Sequence, residues 1–210
     1  MRLRTVALVA FVVALALIGA GALVFRQLAA PTSRLATVTV GAERLTLTSA
    51  YLRPGGDGVA EIVAFFPDFT PAGGFADVAA ATNLDDRFAR LVFVGLKPAD
   101  PALDPAERTA RLYQRFLDEN SSSQPGGLVA RAFVDGSPFA GDELFYVAPE
   151  GRNFAARCRR PDPARKTPNT CIADFRLGDL DVEIRFAASL LSQWRALKEG
   201  ARGLIESARR

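Results

Sequence analysis

Histidine is absent from all 210 residues of the chain. Its absence removes Ser-His and Cys-His nucleophiles, His-ligated zinc, His-ligated haem and the commonest general acid–base side chain. Cysteine occurs twice, as Cys158 and Cys171, with twelve residues between them. That spacing is not a CxxC redox pair, and two ligands alone do not make a zinc site. The patterns HExxH, GxSxG, SxxK and the P-loop do not occur. Glycines cluster at 55–58, 73–74 and 125–127, but as turn residues with no phosphate-loop lysine behind them. Charge is nearly balanced, 26 Lys and Arg against 23 Asp and Glu, for a net charge of +3. Neither a metal nor a cofactor is expected, and nucleic acid is not an expected partner.

What the chain does contain is one long apolar run. Thr5 to Phe25 reads TVALVAFVVALALIGAGALVF and carries no charge. At 1.5 Å per residue it makes roughly 30 Å of helix, the thickness of a bilayer's hydrocarbon core. The competing reading is a cleaved signal peptide, with Arg2 and Arg4 as its basic start and Ala20-Gly21-Ala22 as a small-x-small site. The run continues through Leu23, Val24 and Phe25 beyond that site, which favours an uncleaved anchor over residues 5–25. Arg2, Arg4 and the amino terminus precede the span, so the positive-inside rule puts the N-terminus in the cytoplasm. The two cysteines fit a disulfide in an oxidising compartment. With an Ala-, Arg- and Asp-rich composition of bacterial character, the expected location is the inner membrane, single-pass, with the C-terminal domain periplasmic.

The expected organisation is an anchor over 1–27, a linker over 28–34 and an α+β domain over 35–210. Apolar residues make up 49% and charged residues 23%, a globular balance. Alternation predicts a hairpin from Thr37–Val40 and Arg44–Thr48 around Gly41, and largely apolar runs predict strands at Val59–Phe66 and Arg90–Leu96, the last central in its sheet. Further strands are predicted at Leu128–Val134, Glu143–Ala148, Phe154–Cys158, Cys171–Leu177 and Leu180–Phe186. Only Gly178 and Asp179 separate the last two, the length of a tight hairpin turn. One face of this mainly antiparallel sheet should be dry and the other wet. Asp104-Pro105-Ala106-Glu107 has the form of a capping box, predicting a helix that runs to about Glu119. A helical turn is expected at Asp85–Ala89, and NSSSQPGG over Asn120–Gly127 reads as turn. Leu190, Trp194, Leu197, Ala201, Leu204, Ile205 and Ala208 form the apolar stripe of a C-terminal amphipathic helix over Ala188–Ala208. Its expected role is to cover the open face of the sheet.

Two features bear on chemistry. Asp68, in Phe66-Pro67-Asp68-Phe69, is an acid with apolar neighbours on both sides, and desolvation there would raise its pKa. The bland alternative is a turn aspartate. The second feature is cationic: Arg152, Arg157, Arg159, Arg160, Arg165 and Lys166 crowd a short stretch that holds Asp162 as its only acid. A Cys158–Cys171 disulfide would close a loop carrying Arg159, Arg160, Arg165 and Lys166. A preorganised cationic loop suits an anionic lipid, glycan or acidic protein partner; otherwise it is solvated surface.

The order "PDF" (Pro67–Phe69), "LVF" (Leu91–Phe93), "ELFY" (Glu143–Tyr146), "ARC" (Ala156–Cys158), a second cysteine and "RFAASLLSQW" (Arg185–Trp194) resembles a group of uncharacterised, membrane-anchored proteobacterial proteins. The resemblance implies an anchor and an envelope location and carries no activity. The sequence thus reads as a single-pass inner-membrane protein. Its non-enzymatic periplasmic domain would bind an envelope partner protein or an anionic envelope component, with Arg157, Arg159, Arg160, Arg165 and Lys166 as candidate binding residues. Two alternatives stay open: a membrane-tethered hydrolase that uses carboxylates, with Asp68 as its best acid, and a carrier enclosing an apolar ligand between sheet and terminal helix.

Overall fold

The computed structural model describes residues 34–53, 58–73, 84–161 and 169–209. The apolar run at 5–25 and the cations Arg165 and Lys166 lie outside these residues. Among the described residues no helix is long and apolar enough to cross a membrane.

Two β-branched, alternating segments open the domain as an antiparallel hairpin, β1 (Leu35–Val40) and β2 (Glu43–Thr48), in the register Val40↔Glu43 to Leu35↔Thr48. Gly41 makes the turn at φ 59°, a left-handed conformation that a side chain would strain. Next come β3 (Leu52–Arg53), β4 (Ala60–Phe65), β5 (Thr70–Pro71), helix α1 (Leu84–Arg90) and β6 (Leu91–Pro98). The chain then enters a helical stretch, Pro105–Phe116, and returns through β7 (Ser122–Gln124), β8 (Leu128–Ala132), β9 (Asp142–Tyr146), β10 (Ala155–Arg159), β11 (Thr170–Leu177) and β12 (Leu180–Ala187). Six residues of 3₁₀ turn, Ala188–Gln193, lead into helix α2 (Trp194–Ala208).

Strands β3 to β12 form one sheet in the order β3-β4-β6-β12-β11-β10-β9-β8-β7, with β5 on β4, and every pairing is antiparallel. The chain builds inward from one edge to β6, crosses to the far edge at β7, and meanders back until β12 docks on β6. Strand β6 is therefore central, as its nearly continuous apolar sequence predicts.

Alternation divides the sheet into two faces. Leu180, Val182, Ile184 and Phe186 of β12 join Cys171, Ala173, Phe175 and Leu177 of β11, and Val92, Val94 and Leu96 of β6, in the main core. That face is covered by the hairpin, through Val40, Leu45 and Leu47, and by α2, through Trp194, Leu197, Ala201, Ile205 and Ala208. Each large side chain so buried contributes about 1.5–3 kcal/mol. The terminal helix thus covers the sheet as its stripe predicts, although its first six residues form a 3₁₀ turn and not α-helix. Trp194 stacks on Phe154 at 4.9 Å and donates its indole N–H to the Gly126 carbonyl at 3.0 Å.

The opposite face is not simply wet. The helical stretch lies over it at the β8–β10 end, where Tyr113 and Phe116 join Leu117, Phe133, Phe139, Leu144 and Tyr146 in a second cluster. The capping expectation holds in part: the Asp104 side chain accepts from the Ala106 N–H at 2.8 Å and Pro105 follows it. Glu107 does not reach back to close the box; its carboxylate meets Arg111 at 3.2 Å and Arg152 at 3.6 Å. Nor does a regular helix run to Glu119. A 3₁₀ turn at Pro105–Glu107 gives way to a π-turn at Thr109–Tyr113 and a 3₁₀ turn at Gln114–Phe116. Leu117 is already extended and bridges Phe133. The wide turn sets the Tyr113 ring edge-on to Phe133 and Phe139, at 5.6 and 5.1 Å, so tertiary aromatic packing overrides helical propensity.

Candidate functional site

Cys158 and Cys171 face each other across β10 and β11 and form the expected disulfide, with a sequence separation of 13. Both are buried in the main core. The bond sits at one end of a short ladder, because β10 and β11 pair only at Cys158↔Cys171, Arg157↔Ile172 and Ala156↔Ala173. Strand β11 continues to Leu177, fully paired with β12 on its other side. Beyond Ala173 the sheet therefore splits.

A cleft of about 210 Å³ occupies the split. Its walls come from both faces: Phe154, Phe175 and Lys198 from the covered side, Asp104, Asp174 and Arg176 from the other, with Arg152 at the margin. Asp174 accepts from the Arg108 guanidinium at 2.6 Å. Burial pushes the Asp174 carboxyl above the usual aspartate range, and Arg108 opposes that shift. Arg176 is held by Asp181 at 2.8 Å and by the Asp100 carbonyl at 2.7 Å. Lys198, on α2, donates to the Asn153 carbonyl at 2.7 Å and lies 5.8 Å from the centre of the Phe175 ring. Burial lowers its pKa first, and the neighbouring Arg202 lowers it further.

The cationic stretch is divided by this geometry. Arg157 and Arg159 both reach the carboxylate of Asp142, which is 4% exposed. Arg157 also lies 5.3 Å from the centre of the Phe139 ring and hydrogen-bonds Tyr113, a phenol that burial pushes up and Arg157 draws down. These two arginines thus neutralise a buried acid under the helical stretch. Arg160 is exposed at the end of β10, with its backbone N–H on the Gly141 carbonyl at 3.0 Å. Arg152 pairs with Glu150 and Glu107 on the surface.

Asp68 lies exposed on the turn Phe66–Phe69 and not in an apolar pocket. The apolar side chains around it, Phe66 and Phe69, turn inward, and their rings meet edge-on at 6.3 Å. Of the acids that do line the cleft, the sequence marks Asp104 only as a cap and does not mark Asp174. Asp174 sits in plain alternation on β11, and nothing local marks the point where β10 leaves it.

The class of protein defined by this architecture is an α+β domain: one large antiparallel sheet with a hairpin and a C-terminal helix on one face. No protein-family model and no curated protein matches the sequence. Solved structures do. An immunity protein of the Stenotrophomonas maltophilia type IV secretion system is similar at a TM-score of 0.59 and 16% identity, over 85% of this chain and 94% of that one. The iron-regulated outer membrane lipoprotein FrpD of Neisseria meningitidis is similar at a TM-score of 0.48 and 13% identity, over 84% of this chain and 92% of that one. At these identities the first likeness establishes a common fold.

Proposed function

We propose that this chain is a single-pass protein of a bacterial inner membrane, anchored by residues 5–25, whose periplasmic domain works by binding a partner protein. The observation that carries the reading is the cleft. It presents a strand edge and a half-buried ammonium, while its carboxylates already have structural work. Asp104 caps the helical stretch and Asp174 holds Arg108. The fold shared with an immunity protein of a secretion system supports the reading by analogy alone. The carrier alternative has less support, since Leu197, Ala201 and Ile205 pack into the core with no exposed surface.

A protein partner is favoured over an anionic lipid or glycan because Arg157 and Arg159 are engaged by Asp142. The discriminating variant is Arg160→Gln with Arg165→Gln and Lys166→Gln in the intact protein. Partner capture from the membrane should survive it at low salt, because the cleft is untouched. Complete loss would transfer the function to the cationic loop and an anionic ligand.

A further inference from the structure

We infer that the open edge of β11 receives an extended segment of the partner protein, which adds to it as a strand and places an acidic side chain on Lys198. This deepens the protein-binding reading and rests on it. The hairpin fixes which backbone groups are open. A two-residue turn makes Leu177↔Leu180 a hydrogen-bonded pair, so along β11 the odd residues bond β12 and the even residues point the other way. Ile172 uses its outward groups on Arg157 of β10. No strand stands opposite Arg176, so its N–H and C=O point into the cleft, with no backbone partner among the described residues. The Asp174 carbonyl points the same way.

Lys198 is the second, independent feature. Its ammonium is half-buried on the wall of the cleft, and among the described residues no carboxylate lies within ion-pair distance of it. Its oxygen partner is the uncharged Asn153 carbonyl. A half-buried ammonium whose oxygen partner is uncharged is stabilised by an incoming anion. An open edge supplies main-chain hydrogen bonds without sequence preference, and a charged side pocket supplies the preference. Together they describe an extended peptide with an acidic residue. The rival role for Lys198 is to guard the edge against pairing.

The test uses the full chain in its own envelope, with a photo-reactive phenylalanine analogue at Asn153 in the cleft or at Arg44 on the distant hairpin. Capture of one partner from position 153 is expected, with the crosslink on a partner segment that contains Asp or Glu. Lys198→Gln should lower the yield roughly tenfold, the value of one charge-assisted hydrogen bond, and Lys198→Arg should restore most of it. An unchanged thermal midpoint in Lys198→Gln separates lost recognition from lost folding. A partner caught at 44 but not at 153, or a yield at 153 indifferent to Lys198→Gln, would make Lys198 a guard only. The cleft would then be wrong while protein binding stood. Capture of no protein from either position would overturn both.

Discussion

Gly200 of α2 lies against the ring of Phe69, and a Cβ added there would come within 2.1 Å of it. Phe69 cannot retreat easily, because it is buried at φ 50° on a turn whose backbone carbonyl accepts from the Tyr51 hydroxyl at 2.9 Å. Alanine improves helix propensity by about 1 kcal/mol over glycine, but overpacking a core costs about 1–3 kcal/mol. Gly200→Ala should therefore lower stability by up to about 2 kcal/mol in urea unfolding. Gly203, three residues on and exposed, would meet nothing within 4 Å. There the same substitution should raise stability by about 0.5–1 kcal/mol. Equal effects at the two positions would refute the packing described for the Phe66–Phe69 turn. Lys198 gives a pH test at the same scale. Burial lowers its pKa in the folded state, so the unfolded chain holds its proton more firmly. Stability contributed through this residue rises as pH climbs from the lowered value towards 10.5. Against Lys198→Met, the wild-type protein should gain relative stability over that alkaline window and show no such trend below it. Little of this was legible in the sequence, where Gly200 and Gly203 are two glycines of one helix.

Alternation located most of the elements. The strands around Val129, Leu144, Ala156, Phe175 and Ile184 lie within a few residues of their predicted positions because one buried face imposes period two on each, whereas those around Ile62 and Val94 show as apolar runs because both of their faces carry buried residues. Strand β7 escaped, since Ser122–Gln124 is an edge strand of polar residues with no apolar face to announce it. The regular helix expected after Asp104 is broken by long-range aromatic contacts that no local window contains. The β10–β11 ladder carries the clearest element-scale prediction. It has three residue pairs, one of them the disulfide. Replacing both Cys158 and Cys171 by alanine should lower stability by about 2–4 kcal/mol, read as a fall in the urea midpoint. An unchanged midpoint would mean that the packing of Phe154 on Trp194 holds β10 in place without the bond.

At the scale of the whole molecule, chain order and charge do different work. The chain crosses the sheet through the helical stretch, and this crossing lays Arg108 on Asp174 and Tyr113 beside Arg157. Charges scattered through the sequence thereby become internal pairs. For this reason the dense arginines at 152–160 overstate the free positive surface. The cleft was illegible for a related cause: a sheet splits where two strands diverge in space, and neither strand's own pattern records it. The topology proposal has its own check. An enzyme reporter fused after Arg210, active only when exported, should be active, and activity restricted to a cytoplasmic reporter would reverse the orientation. The claim on which the account turns is protein binding by the exported domain. It is tested most directly by crosslinking the intact protein in its own envelope, purifying it under denaturing conditions and identifying what is attached. The account predicts one protein in fixed stoichiometry, joined to residues 34–210; recovery of the chain alone, or joined only to lipid or glycan, would contradict it.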